Sequence, residues 1–450
     1  MSPDLLPKAF KDRMKNDLKD EYDAFMASYG DKRVYGLRCN TLKGTCDELK
    51  SSLPIDLTNV SWAFEGFYYD ENDRPGKHPL HEAGAYYIQE PSAMSAVSVL
   101  DPGPGDVVLD LCAAPGGKST QIAARLNGTG LLVSNEIVKS RSLILSSNIE
   151  RMGVRNAVVT NEDPERLKSF FPAFFDKILV DAPCSGEGMF RKDETAIGEW
   201  SEENVDMCAK RQAGILDCAA DMLKPGGVMV YSTCTFSFAE NDDNIGSFIN
   251  RHPDFSLISK EHFYPHRIKG EGHFVAKLVK AGTLEKTVCK ISAEPPRSKG
   301  KKNSVSLISA EDIKNILTGE FKIKKEAAGD ILKDTRVTAF GENIYLTPSL
   351  MPDLKGLNVV RPGLNVLTDK GKRFEPAHSL MISLRTFEVT DSVTVGLDDA
   401  KKFIAGETIN CDPSIKGWIP VFIKNYSIGF GKASNGIVKN HYPKGLRIIL

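Results

Sequence analysis

Two cysteines sit where thiol chemistry is easiest to build. Cys184 lies in Asp181-Ala182-Pro183-Cys184-Ser185-Gly186-Glu187-Gly188, and Cys234 in Tyr231-Ser232-Thr233-Cys234-Thr235. Both fall just after strand-like apolar runs, at 176–181 and 227–232. A cysteine is ordinarily a small buried hydrophobe, and that reading suffices for Cys112, Cys208 and Cys218. Two thiols on one rim can instead share a reaction that needs a covalent step. Carbon 5 of cytosine is such a case, being a poor nucleophile until a thiolate adds to carbon 6 and turns the ring into an enamine. The enamine can take a methyl from a sulfonium, after which a base must remove the carbon 5 proton so that the thiol can leave. A carboxyl such as that of Asp181 would stabilise the ring nitrogen as charge develops.

A methyl donor needs a pocket, and residues 107–120 are shaped for one. An apolar strand runs into Cys112-Ala113-Ala114-Pro115-Gly116-Gly117-Lys118-Ser119 and then into a helix. Small residues let backbone amides approach a ligand at the carboxyl end of a strand, and the helix start adds a positive field. Alone, this is also what a tight turn looks like. Glu136, however, ends the next strand, where a carboxylate can accept hydrogen bonds from two ribose hydroxyls. Asp163 follows the third strand and Asp181 ends the fourth. Any one of these acids could be a helix cap or a solvated loop residue, whereas three at successive strand ends describe a nucleoside pocket.

The elements that must position these residues are legible as alternating periods. Strands are expected at 107–111, 130–135, 156–160, 176–181 and 227–232, with a late strand at 273–279, and helices at 118–126, 138–152 and 203–223. Alternation of this kind predicts a parallel sheet covered by helices on both faces, an α/β core assigned to 81–285. Residues 1–80 read as a small mixed unit with a helical stretch from residue 7 to 29, closed by turn-rich residues at 70–79. Pro295-Pro296 and the basic residues after them mark 286–304 as a linker. Short β-like runs fill 305–450.

Composition excludes several classes. With 41% hydrophobic and 26% charged residues the chain is neither disordered nor collagen-like. No apolar run approaches the roughly 20 residues of a membrane span, and the first residues lack a signal-peptide pattern, so a cytoplasmic protein without membrane contact is expected. Nine cysteines without paired ligand spacing argue against disulfides and a metal site. A net charge of −1 means that any nucleic-acid surface is local. One candidate is 429–447, where Lys432, Lys439, His441, Lys444 and Arg447 are interleaved with Phe430 and Tyr442.

The segments 110–119, 181–188 and 232–235, with Tyr87-Ile88-Gln89-Glu90-Pro91-Ser92, resemble the Nop/Sun family of RNA cytosine-5 methyltransferases, in its bacterial RsmF type. The resemblance covers essentially the whole chain. It implies a Rossmann-like methyltransferase core with S-adenosylmethionine held by Cys112, Ala113, Ala114, Pro115, Gly116, Gly117 and Lys118 and by the acids Glu136, Asp163 and Asp181. It implies Cys234 as nucleophile and Cys184 as the thiol that assists release, with Arg191-Lys192-Asp193 steering RNA phosphates. Asp163 sits in an Asn-Glu-Asp-Pro context less typical of the family, which leaves Glu162 as a partial substitute. The resemblance further implies a small N-terminal RNA-binding-type domain and a β-rich C-terminal region ending in a PUA-like RNA-binding domain, on whose aromatics bases could stack. The implied partner is 16S rRNA or the 30S subunit, and a monomer is expected. Three rivals stand beside this reading: a DNA cytosine methyltransferase, a tRNA methyltransferase, and a non-catalytic ribosome assembly factor that keeps the fold. The intact Cys234 motif speaks against the first and the last.

Overall fold

The computed structural model describes residues 3–286 and 308–450, so the expected linker at 286–304 lies, but for residue 286, outside the described residues. Eight strands form the central sheet in the spatial order Phe255–Phe263, His273–Lys280, Leu223–Thr233, Phe175–Asp181, Val107–Asp110, Leu131–Asn135, Ala157–Thr160 and Val359–Arg361. The middle five are parallel. Their apolar runs are continuous because both faces are covered, as a parallel sheet demands. Leu109, Val133, Ile178 and Met229 pack against Leu216 and Ala219 of the helix Glu202–Met222 on one face. Val108, Leu132, Val159 and Leu179 pack on the other face against Ile122 of the helix Gly117–Leu126 and Leu145 and Ile149 of the helix Lys139–Arg151. Adjacent residues of one strand serve opposite faces, as the period of two requires.

These strands and helices coincide with the expected ones to within a few residues at each end. Phe255–Phe263 is an addition, antiparallel to His273–Lys280. Its residues 256–261 are all exposed, so it carries no apolar alternation to be read.

The N-terminal unit begins with the helices Lys8–Leu18 and Tyr22–Ser28. Phe10, Met14 and Phe25 of these helices are buried against Phe190, Trp200, Phe236 and Tyr264, which follow the two cysteine motifs. A four-stranded sheet comes next, ordered Thr58–Val60, Ala63–Tyr69, Tyr35–Cys39, Tyr86–Ile88. Its last strand lies beyond the expected boundary at residue 80 and pairs with Tyr35–Cys39. The turns at 70–79 are a loop inside this unit, and turn chemistry alone does not distinguish an internal loop from a domain edge.

The C-terminal region holds a four-stranded sheet (Thr335–Phe340, Asn343–Pro348, Leu364–Asp369, Phe374–Pro376) and a five-stranded one built on Gly417–Ile423 and Tyr426–Ser434. It is not a body apart from the core, because Val359–Arg361 adds an antiparallel edge strand to the central sheet beside Ala157–Thr160. Arg361 is buried there, with Nη1 2.9 Å from Glu150 Oε2 and Nη2 donating to Ser379 Oγ. Arg155 likewise grips both oxygens of Glu388, at 2.9 and 2.8 Å. No helix among the described residues is long and apolar enough to cross a membrane.

The Arg361 contact generates a test. Arg361→Ala would strand the Glu150 carboxylate in the seam between the two regions. Glu150 is only partly buried, so the cost falls between the roughly 1 kcal/mol of an exposed pair and the roughly 3 kcal/mol of a buried one. A clear fall in the urea midpoint, with cofactor affinity retained by the folded fraction, is the expected result.

Candidate active site

The strands Phe175–Asp181 and Leu223–Thr233 are parallel neighbours with Asp181 in register with Ser232. The chain therefore leaves both strands at the same level of the rim, and the following loops lie side by side. Cys184 Sγ and Cys234 Sγ are 3.2 Å apart and both half-buried. Close packing of the loops depends on Gly188, whose N–H donates to Cys234 O at 2.8 Å and where a Cβ would stand 3.0 Å from that oxygen. Beneath them Glu240, fully buried, accepts from Ser185 N at 3.0 Å, Ser185 Oγ at 2.5 Å and Gln212 Nε2 at 2.8 Å. Gln212 also donates to Pro183 O at 3.0 Å, and Thr235 Oγ1 lies 2.9 Å from Ser185 Oγ. The carboxylate thus anchors Ser185 of the first cysteine motif, and Ser185 in turn reaches the second through Thr235.

The Cys184 thiol is held well above the usual range, first by its hydrogen bond with Cys234 and then by burial, so it keeps its proton at neutral pH. Asp181 behaves oppositely. Burial alone would raise its carboxyl, but the Lys118 ammonium 2.8 Å away and the Ser232 hydroxyl at 2.8 Å hold it below the ordinary value. Lys118 in turn is buried, which would lower its pKa, yet the Asp181 charge keeps it raised. His273, buried with its Nε2 3.9 Å from Asp181 Oδ1, is pushed down to about 3 by burial and by the Lys118 charge and is a neutral imidazole. The periodic reading absorbed His273 into a strand. Its distinguishing feature is proximity to Asp181, which no sequence spacing reports.

The glycine turn stands on the same rim. Gly116 has φ 114°, a left-handed conformation that L side chains rarely adopt. Asn148 Nδ2 donates to Pro115 O and Arg141 Nη2 to Ala114 O, each at 2.8 Å, fixing the turn from the next helix. Ala113 and Ala114 are buried, and Cys112 is half-buried against the core. Glu136 is 3% exposed, accepts from Val138 N at 2.8 Å and pairs with Arg141 at 3.4 Å. Asp163 is exposed and caps the helix Pro164–Phe170 through Glu165 N. Glu162 is buried and committed to Arg166 and to Asn358 N, so of this pair Asp163 is the acid open to the rim.

Asp110, at the base of the turn, was not singled out by spacing. It is fully buried, Ser119 Oγ donates to its Oδ2 at 2.6 Å, and its Oδ1 has no partner among the described residues. Burial pushes its carboxyl up to about 7. An adenosyl donor fits this set of groups. Gly116 and the alanines leave room for close approach, and Glu136, Asp163 and Asp181 supply acceptors at three successive strand ends.

Two expectations about RNA contacts are corrected. Arg191 does not face solvent. Its Nε donates to Glu271 Oε2 at 2.6 Å and its Nη atoms to Ser28 O and Gly270 O, so the guanidinium is spent on joining the N-terminal helices to the core. Asp193 caps the helix Glu194–Glu199, leaving Lys192 exposed. At the C-terminus, Phe430 and Tyr442 are 5% and 3% exposed, so neither offers a face to a base. Lys432, Lys439, Lys444 and Arg447 are exposed. Aromatics alternating with cations on a strand mark its inner and outer faces, and here the inner face belongs to the core.

A doubly wound sheet with a glycine turn and acids along one rim is the frame of a nucleoside-binding α/β enzyme, here an S-adenosylmethionine-dependent methyltransferase. Family models agree along the chain. The 16S rRNA methyltransferase RsmB/F model matches 97–279, the N-terminal domain of 16S rRNA methyltransferase RsmF 6–91, the RsmF first C-terminal domain 322–384 and the RsmF PUA domain 390–448. Ribosomal RNA small subunit methyltransferase F of Vibrio vulnificus is 33% identical over 98% of this chain and 97% of its own. That of Aeromonas hydrophila is 33% identical over 94% and 93%. Among solved structures, a methyltransferase homolog from Pyrococcus horikoshii matches 62% of this chain and 100% of its own, at TM-score 0.56 and 27% identity. NSun6 from Pyrococcus horikoshii, at TM-score 0.55 and 24% identity over 62% of this chain and 99% of its own, shares the fold. The chain belongs to the RsmF family of 16S rRNA cytosine-5 methyltransferases.

Asp110 makes a pH prediction. Its folded pKa of about 7 exceeds its unfolded value of 3.8, so the native state keeps a proton that the unfolded chain releases. The stability this contributes is complete below about pH 4 and is lost as pH rises through about 7. Asp110→Asn removes the titration. Its melting temperature should gain on the parent from pH 4 to 7 and run parallel above, and a constant offset would contradict the assignment.

Proposed function

We propose that Cys234 attacks carbon 6 of the target cytosine, that Cys184 assists release of the product, and that Asp181 stabilises the ring nitrogen. The observation that carries this reading is the pair of thiols 3.2 Å apart, on the rim that also holds Lys118 and Asp181. S-adenosylmethionine, held by residues 112–118 with Glu136, Asp163 and Asp181, supplies an electrophilic methyl on a sulfonium. Cys184 keeps its proton and can donate it to Cys234 Sγ, 3.2 Å away. Addition would form the S–C6 bond and put the C5=C6 electron pair on carbon 5, which would take the sulfonium methyl as the neutral thioether leaves. A base would then take the carbon 5 proton, its C–H pair re-forming C5=C6 as the S–C6 bond breaks to return the thiolate. Asp181, ionised and braced by Lys118 and Ser232, offers an acceptor to the cytosine edge as the ring changes charge. The target base must leave its stack to reach both thiols, so a loop or locally opened cytosine is the substrate. The enzyme acts as a cytoplasmic monomer on 16S rRNA, free or within the 30S subunit, with the N-terminal and PUA-like units holding the RNA.

Two measurements test these assignments. Cys234→Ala should abolish methylation and form no covalent RNA adduct. Cys184→Ala should accumulate a denaturation-resistant protein–RNA complex on a gel, because addition and transfer proceed while release fails; the reverse pattern would exchange the two roles. Separately, Gly116→Val, which strains a left-handed position and places a side chain 3.2 Å from Leu145 Cδ1, and Glu136→Ala should each weaken calorimetric binding of S-adenosylmethionine by about 1–3 kcal/mol.

A further inference from the structure

A groove of about 430 Å³ separates the N-terminal sheet from the C-terminal region, lined among others by Thr41, Phe64, Arg385, Thr386, Phe387 and Asn425. Two phenylalanines there are largely bare, Phe64 at 69% and Phe387 at 63% exposure. Each carries an arginine on its ring: Arg125 Cζ is 5.3 Å from the centre of Phe64, and Arg385 Cζ 5.6 Å from that of Phe387. Arg125 is paired with Glu65. Arg385 makes no ion pair among the described residues, because the neighbouring Glu388 carboxylate is occupied by Arg155. Lys43 adds no free charge, its Nζ being bonded to Ala83 O and Arg151 O, and the Glu48 carboxylate is turned onto Thr45 N. The groove thus presents two aromatic faces, hydroxyl and amide groups, the Glu48 carboxylate held by Thr45 N, and the Arg385 guanidinium, which feels Glu388 and Glu48 but closes no ion pair with either.

Its place in the fold separates it from the catalytic rim. The Lys43 contact is with the C-terminal end of the helix Lys139–Arg151, which leads into the start of the strand Ala157–Thr160. The groove therefore lies at the amino edge of the parallel sheet, opposite the thiols. Asn425 stands at the turn that opens the strand Tyr426–Ser434, on which exposed Lys432 pairs with exposed Lys439 of the next strand. About 20 Å of strand joins the groove to that cationic pair. Aromatic faces with spaced cations are what a single strand of nucleic acid uses, bases on the rings and phosphates on the charges.

We propose that this groove binds a single-stranded stretch of the substrate RNA remote from the target cytosine, stacking bases on Phe64 and Phe387 and placing a phosphate on Arg385. The proposal rests on the reading of the chain as an RNA methyltransferase. The test compares parent, Phe64→Ala/Phe387→Ala, Phe64→Tyr/Phe387→Tyr and Arg385→Gln on two unmethylated substrates, protein-free 16S rRNA and a short RNA loop carrying only the target cytosine. Stacking losses predict that the alanine pair binds 16S rRNA roughly 10–100-fold more weakly. Methylation of the short loop and cofactor affinity should be unchanged, and the tyrosine pair should behave as the parent. Arg385→Gln should flatten the salt dependence of 16S rRNA binding by about one unit of slope. Parent-like binding of 16S rRNA by the alanine pair overturns the proposal. So does a defect on both substrates alike, or a defect that appears on 30S subunits but not on protein-free rRNA, which would assign the groove to a protein. Failure of the parent to methylate either RNA would instead strike the functional reading itself.

Discussion

The register between two parallel strands governs this enzyme. Because Asp181 lies beside Ser232, the Pro-Cys and Thr-Cys loops leave the sheet together, and a 3.2 Å separation of thiols follows from backbone hydrogen bonding. A parallel ladder cannot slip by one residue without turning both apolar faces to the wrong side. The cores on the two faces therefore also hold the catalytic register. The loops then need a filler that can satisfy several backbone and side-chain donors at once, and a buried carboxylate, Glu240, does so. A neutral residue of similar size would leave some of those donors unpaired, at a cost of about 1–3 kcal/mol each.

Charge is arranged around the thiols as carefully as shape. Lys118 belongs to the helix that begins at the glycine turn, and its pairing with Asp181 links that turn to the rim beside the thiols through one 2.8 Å contact. Neighbouring groups have unlike fates: Asp181 of this pair stays ionised, while His273 stays neutral and Cys184 keeps its proton. Such divergence among neighbours is what environments do when desolvation and a specific counter-charge compete, and it holds adjacent groups in different protonation states at a single pH.

The terminal regions do more than append RNA-binding surface. Glu187, three residues past Cys184, accepts from Arg13, from Trp200 and from Phe236 N, so an N-terminal helix braces both cysteine loops. Arg191 performs a similar task through Glu271. At the far edge of the sheet, Val359–Arg361 and the ion pairs of Arg361 and Arg155 fasten the C-terminal region to the core. Residues that resemble an RNA-facing cationic motif are spent on assembly instead, since a guanidinium with five donors can satisfy several backbone carbonyls in a seam.

The sequence by itself determined the doubly wound core, the glycine turn, the two thiols and the three acids, because each depends on local period or on residue types at strand ends. Segments such as 107–109 and 178–180 are continuous apolar runs whatever surrounds them. Only the tertiary structure decided which cations and aromatics are free. Arg191, Phe430 and Tyr442 read as RNA-facing from their cationic neighbourhoods and are buried, while Phe64 and Phe387, apolar by type, stand bare. It also decided that Tyr86–Ile88 closes the N-terminal sheet and that Val359–Arg361 joins the central one. The physical reason is the same throughout. Burial, pairing and charge state arise from contacts between residues far apart in the chain, and a local pattern records only which contacts a residue is able to make.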